Sequence, residues 1–280
     1  MKLATYKDGS RDGQLVLVAR DLATAHMVHG VASRMQQLLD DWNFLSPQLQ
    51  DLYEALNAGR ARHAFPFEPA SCMAPLPRAC QRVEDGPGLR QASGDNLLGP
   101  CDEIAWPGED RGLEVQTRLA VITGEVPRGS SVEQALEGVR LLMLAHSVRL
   151  RQPPSPGQDP DDGLALCQPA AAFSPVAVTL DELGPAWRSG RVHLGLQCTR
   201  DGRRHDAPDA QGMGRSFGQL IARLCSTRPV RAGSIVAGGP LGADTAPSSP
   251  LRPGSVLRSE MLGPDGNSVF GALDQRLAPA

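Results

Sequence analysis

Five short runs of this 280-residue chain carry side chains able to do chemistry. Glu84 and Asp85 are adjacent, Glu114, Gln116 and Arg118 occupy alternate positions, and His146, Ser147 and Arg151 fall close together. Cys167 and Gln168 are neighbours, and Ala237-Gly238-Gly239-Pro240 makes a glycine-rich run. Carboxylates suit acid-base work or ligation of a hard cation. A histidine such as His146 serves as a base, a metal ligand or a structural hydrogen-bonding group. Arg151 offers a planar fork that matches a carboxylate. Cys167 has no recognisable base with an orienting partner, which a thiolate nucleophile needs. The glycine run is followed by neither lysine nor a helix start, so it does not read as a nucleotide-binding loop.

The elements that must position these residues are mostly strands. Leu3 to Tyr6 and Leu15 to Val18 flank an Asp-Gly-rich turn and predict a hairpin. Met35, Leu38, Leu39, Trp42, Leu49, Leu52 and Leu56 recur at helical spacing. Ser46-Pro47 fits an N-cap followed by proline at the first helical position, which predicts two helices separated near residue 45. The proline-punctuated run from Phe65 to Pro77 predicts an extended linker, and a boundary there divides residues 1–74 from 75–280. Residues 81–111 are rich in turn formers and read as loop.

Leu113 to Thr123 alternates as a strand. Ser131 and Gln134 form a possible capping box before an aliphatic helical stripe of Val132, Leu136, Val139 and Met143. Residues 151–163, rich in proline and aspartate, read as disordered or loosely looped. The final third predicts a strand at Val176 to Thr179, a turn from Asp181 to Gly190 and a strand pair between His193 and Arg204. A helix at Phe217 to Cys225 follows, then strands at Gly233 to Val236 and Ser268 to Leu273. The fold class is mainly β with helices, an α+β arrangement.

Composition narrows the partners. A formal net charge of -3 supplies no positive field to attract nucleic acid or an anionic membrane. No run approaches the length of a membrane-spanning helix, and charges at the N-terminus oppose a signal peptide, so a cytoplasmic location is expected. Six cysteines, without a CxxC pair, are expected as reduced thiols.

Eight stretches then become specific in their order: MKLATYKDGSRDGQLVLV, HAFPFEP, APLPRA, LAVITGEVP, AAAFSPVAVTLDELG, AWRSGRVHL, TRPVRAGSIV and SVFGALDQ. From Met1 to about Gln275 the chain resembles bacterial fumarylacetoacetate hydrolase-like proteins that carry an N-terminal domain. The resemblance implies a small N-terminal domain and a rolled, mixed β-sheet barrel, here truncated, commonly assembled as a homodimer. It implies hydrolytic carbon-carbon cleavage of a 1,3-dicarbonyl or acylpyruvate-type substrate. In that reaction Mg, Ca or Mn, held by carboxylates, stabilises the enolised oxygens.

Most positions that the resemblance assigns to the metal and substrate are replaced. The family's E-x-E pair matches Gln116-Thr117-Arg118, so Arg118 puts a cation where the ion belongs. Glu114 stands on the same strand face as a displaced ligand or as a partner for Arg118. Ser147 occupies the place of the next aspartate, beside His146, while Arg151 matches the family's arginine and is the surviving substrate-binding candidate. Gln168 replaces a lysine that neutralises developing charge. Glu84 and Asp85 retain one or two acids of a W-A-D-G-like segment, but the histidine expected after it is missing. Ala237 to Pro240 replaces a G-S/T-G-T turn, and its proline removes a backbone donor.

Two readings follow. The first is a family fold whose hydrolase activity is impaired or lost, with no cofactor expected. The second is a metal-independent hydrolase or lyase acting on a small 2-oxo or dicarbonyl acid, with Arg151 as anchor and Glu84, Asp85, Glu114 or His146 reassigned. A rebuilt family site would require Mg, Ca or Mn.

Overall fold

A computed structural model of the chain describes residues 1–106, 108, 112–151, 166–205, 213–241 and 251–279. The N-terminal hairpin forms as expected: β1 (Lys2–Tyr6) pairs antiparallel with β2 (Gln14–Val18), and β3 (Thr24–Met27) and β4 (Phe65–Pro66) continue the sheet. Two helices, α1 (Met35–Asp40) and α2 (Trp42–Asn57), pack beside it. The break lies at Asp41, not near residue 45, and Pro47 sits inside α2. There its ring forgoes the N–H that would bond the Asn43 carbonyl, a local loss that buried Leu45, Leu49, Tyr53 and Leu56 outweigh. The Phe65 to Pro77 segment contains β4 and a single 3-10 turn at Pro69–Ser71.

Residues 81–111 are not a loop throughout. They contribute β5 (Gln81–Asp85), β6 (Leu89–Ala92), β7 (Leu97–Leu98) and β8 (Ile104–Trp106). Their turn-rich composition hid short strands stabilised by distant partners, since β5 pairs in parallel with a strand more than 150 residues away. β9 (Leu113–Thr123) follows as read. The capping box at Ser131 and Gln134 starts α3 (Val132–Glu137), but the helix ends before Val139. Val139 and Met143 belong to β10 (Val139–Leu150), paired to β9 along its length. The helical spacing of Val132, Leu136, Val139 and Met143 misled there because β10 is buried on both faces, so its apolar residues run nearly unbroken.

The remaining elements are β11 (Ala170–Phe173), β12 (Ala177–Val178), a 3-10 segment at Leu180–Ala186, β13 (Trp187–Arg188), β14 (Arg191–Val192), β15 (Leu196–Arg200) and β16 (Arg203–His205). After them come α4 (Phe217–Cys225), β17 (Ser234–Pro240), β18 (Val256–Met261) and β19 (Leu273–Pro279). The strand expected at Ser268 to Leu273 thus begins where that segment ends. The loop expected at 151–163 lies, beyond Arg151, outside the described residues.

The main sheet runs β4-β3-β2-β1-β12-β10-β9-β17-β5-β6, with β11 and β7 joined at β10. A second sheet runs β16-β15-β18-β19-β8. Among the described residues the main path is open, with β4 and β6 as its ends, so it is not a closed barrel. It nevertheless curls: a side chain on β10 bonds one on β5 although β9 and β17 lie between them in the sheet. Leu15, Leu17, Ile122, Met143 and Ile235 pack with α1 and α2, while Val16, Val18, Val121, Leu144 and Val236 pack with α4. Burial of both faces makes this sheet the centre of the core. No helix among the described residues is long and apolar enough to cross a membrane, which says nothing of strands.

Candidate functional site

The face that packs against α1 and α2 turns from apolar to charged along β9. Ile122 and Ala120 belong to that core; Arg118, Gln116 and Glu114 continue the same side of the strand. On β10 the register places Ala145 opposite Arg118, Ser147 opposite Gln116 and Arg149 opposite Glu114. Arg82 and Glu84 alternate with the core residue Val83 on β5, and therefore share one face. Curling of the sheet brings these strands together around Glu84.

Glu84 is 2% exposed and nearly saturated. Its Oε1 accepts from Arg82 Nη1 at 2.5 Å and from the Ser147 hydroxyl, while Oε2 accepts from Gln168 Nε2 at 3.4 Å and lies 3.9 Å from Arg118 Nε. Arg82 also donates from Nε to the Ser93 carbonyl at 2.6 Å. Arg118 Nη1 donates to the carbonyls of Asp85 and Gly238, and Nη2 to Gln116 Oε1 at 2.6 Å. Arg118 Nε is buried without a hydrogen-bond partner. Burial pushes the pKa of both guanidinium groups down, and the Glu84 carboxylate opposes that. Asp85, 6% exposed, stands 3.3 Å from Arg215 Nη2.

Six of the residues singled out in the sequence thus converge: Glu84, Asp85, Gln116, Arg118, Ser147 and Gln168. Three do not. Arg151 is half exposed at the end of β10, its Nε 3.9 Å from Glu114, so Arg149 is the arginine whose field reaches Arg82 and Arg118. Glu114 accepts from Gln116 Nε2 at 2.8 Å and does not pair with Arg118, which turns instead toward Glu84. His146 lies in mid-strand on β10, and it points to the opposite face from Ser147.

There His146 ties the two sheets together. Nδ1 is 2.9 Å from Gln275 Oε1, and Gln275 Nε2 donates to the Asp102 carbonyl, which orients the amide and puts the imidazole proton on Nδ1. Nε2 then accepts from Ser259 Oγ at 2.8 Å. Burial lowers the His146 pKa to about 4, so the ring is neutral near pH 7 and a weak base. Ser259, 3% exposed, also neighbours Thr117 Oγ1 and Cys198 Sγ, which makes this a polar tie within the core. Cys167 is half-buried, and all six cysteines are unpaired. Ala237 to Pro240 forms the end of β17, where Gly238 supplies a carbonyl to Arg118.

A divalent cation does not fit this donor set. Hard cations need several anionic oxygens. Glu84 offers its oxygens to Arg82, Ser147 and Gln168, while Arg118 brings positive charge to the same carboxylate. Among the described residues no group of three or more His, Cys, Asp or Glu is placed to hold a metal. Sequence reasoning overlooked Arg82 and Arg149. The available signal was alternation: Arg82-x-Glu84 and Ser147-x-Arg149 each place both side chains on one strand face.

The family profile for the fumarylacetoacetate hydrolase C-terminal domain matches residues 77–278, and that for fumarylacetoacetase N-terminal domain 2 matches residues 1–78. The chain therefore belongs to the fumarylacetoacetate hydrolase family. Its fold is similar to maleylpyruvate hydrolase from Sphingobium sp. SYK-6, solved in complex with manganese(II) and pyruvate, at 17% identity and a TM-score of 0.73 over 100% of both chains. A probable 2-hydroxyhepta-2,4-diene-1,7-dioate isomerase from Mycobacterium abscessus aligns at 17% identity and a TM-score of 0.77, covering 100% of this chain and 99% of that one. Fumarylacetoacetate hydrolase from Exiguobacterium antarcticum gives 18% and 0.73, again over 100% of both chains. The search of curated proteins found no match.

Proposed function

We propose that this chain is a fumarylacetoacetate hydrolase-family protein that has lost the family's metal-dependent carbon-carbon hydrolysis. Its cleft is retained as a site for a small 2-oxo or dicarbonyl acid. One observation carries the reading: Glu84, the carboxylate at the centre of the cluster, is committed to Arg82 and Ser147 with Arg118 alongside. Hydrolysis of a 1,3-dicarbonyl compound needs a strong positive charge over the developing enolate and a group to activate water. Gln168 is neutral, and the His146 imidazole faces away from the cluster.

Titration with magnesium and manganese by calorimetry, combined with an acylpyruvate turnover assay, tests this. The expected result is no saturable metal binding and no metal-stimulated turnover; micromolar metal binding coupled to turnover refutes it. The metal-independent alternative built on Arg151 is disfavoured by that residue's half-exposed pairing with Glu114. We also propose the homodimer that the family resemblance implies, which light scattering on the purified protein checks.

A further inference from the structure

A cavity of about 460 Å³ opens between the start of β1, the Leu180–Ala186 segment and the turn joining β18 to β19, and none of its walls belongs to the Glu84 cluster. That volume suits a small molecule. Leu183, Pro185, Leu194 and Val269 give it apolar sides. Lys2 lines it at 4% exposure, its Nζ donating to the carbonyls of Ser268 and Val269 at 2.9 and 2.8 Å. An ammonium carries three N–H groups, so one is left without an acceptor among the described residues. Ser268, whose carbonyl holds Lys2, lines the same cavity and has a buried hydroxyl without a partner.

Charge here is balanced in total but divided by depth. Lys2, Arg20 and the Met1 ammonium match Asp181, Glu182 and Asp265, and Asp21 reaches Lys2 electrostatically from outside the walls. The Glu182 side chain is 5% exposed and lies 3.1 Å from the Met1 ammonium. Burial pushes the Lys2 pKa down to about 8 against the fields of Glu182, Asp265 and Asp21, yet among the described residues none of these carboxylates forms an ion pair with it. Lys2 is thus the deep charge without a counter-ion, and a buried cation in that state is unfavourable. At the mouth the exposed Asp265 and Asp181, the latter with its side chain 61% exposed, outnumber Arg20.

We infer that this cavity binds a small zwitterion of the amino acid type with an aliphatic side chain. Its carboxylate meets the Lys2 ammonium and the Ser268 hydroxyl, its own ammonium turns to Asp265 and Asp181 at the mouth, and its side chain lies against Leu183, Leu194 and Val269. A carboxylate anchored by an ammonium makes a charge-assisted hydrogen bond, stronger than a neutral one. A simple anion would leave the acids at the mouth unanswered, and a simple amine would leave Lys2 without a counter-ion. The inference is independent of what the Glu84 cluster does.

Calorimetric titration of the full chain with L-leucine tests it. Saturable binding is expected. 4-Methylpentanoate, which lacks the ammonium, and 3-methylbutylamine, which lacks the carboxylate, are each expected to bind at least about tenfold more weakly. Lys2→Met is expected to weaken leucine by at least the same factor. Asp265→Asn, at an exposed turn position, is expected to keep the fold and still weaken leucine several-fold, so a misfolded Lys2 variant would not remove the test. No saturable binding of leucine up to about 10 mM overturns the inference. So does 4-methylpentanoate binding as tightly as leucine, or leucine affinity unchanged in both Ser268→Ala and Asp265→Asn.

Discussion

Arg82 donates from Nη1 to Glu84 Oε1 across 2.5 Å, and both side chains are 2% exposed. The two residues are separated by one position on β5 and share a face of the strand. Such a pair contributes little net stability when complete, because desolvation offsets its attraction, but losing one partner leaves a buried charge alone. Glu84→Ala is therefore expected to destabilise the protein by about 3 to 5 kcal/mol. Urea unfolding checks this, and a loss under about 1 kcal/mol would show that water enters and solvates Arg82.

If charge alone excludes a cation, as proposed, adding acids should create a cation site. The combined Gln116→Glu, Arg118→Glu and Ser147→Asp change removes the guanidinium and adds three carboxylates beside Glu84. Calorimetry is expected to show manganese binding by this variant and none by the parent. A variant that folds and ignores manganese would show that added carboxylates alone do not make a cation site here.

His146 predicts a pH dependence with a definite sign. Its folded pKa of about 4 lies below the ordinary 6.5, so between those values the unfolded chain binds the extra proton. Stability from keeping the ring neutral is full above pH 6.5 and is lost as pH falls toward 4, by about 3 kcal/mol in total. Urea midpoints measured at pH 7, 5.5 and 4.5 should decline, and His146→Gln should flatten that decline. Equal slopes in the two proteins would assign the effect to other groups.

Gly13 closes the N-terminal hairpin with φ +60°, and a Cβ there would stand 2.5 Å from Thr5 Cγ2 and 2.6 Å from the Tyr6 carbonyl oxygen. Gly13→Ala meets backbone as well as side chain, so it is expected to cost more than about 1 kcal/mol. Gly9, with φ +83° and open space around its Cβ direction, is the comparison; Gly9→Ala should cost less. A thermal melt of each variant decides the order.

Local chemistry in the sequence determined the N-terminal hairpin, the capping box at Ser131, the β9 strand and α4, because each rests on neighbours within one turn or one pleat. The ordered family stretches determined the fold class, and Gln116, Arg118, Ser147 and Gln168, singled out in the sequence, converge in the structure. Tertiary structure alone decided that β5, β7 and β8 exist, since their partners β17, β11 and β19 lie far along the chain, and that Val139 to Leu150 extends rather than coils. It also decided that Arg118 turns to Glu84 and not Glu114, and that Arg149 rather than Arg151 faces the cluster. Alternation along a strand names a face, but only the curl of the sheet sets which other strand that face meets.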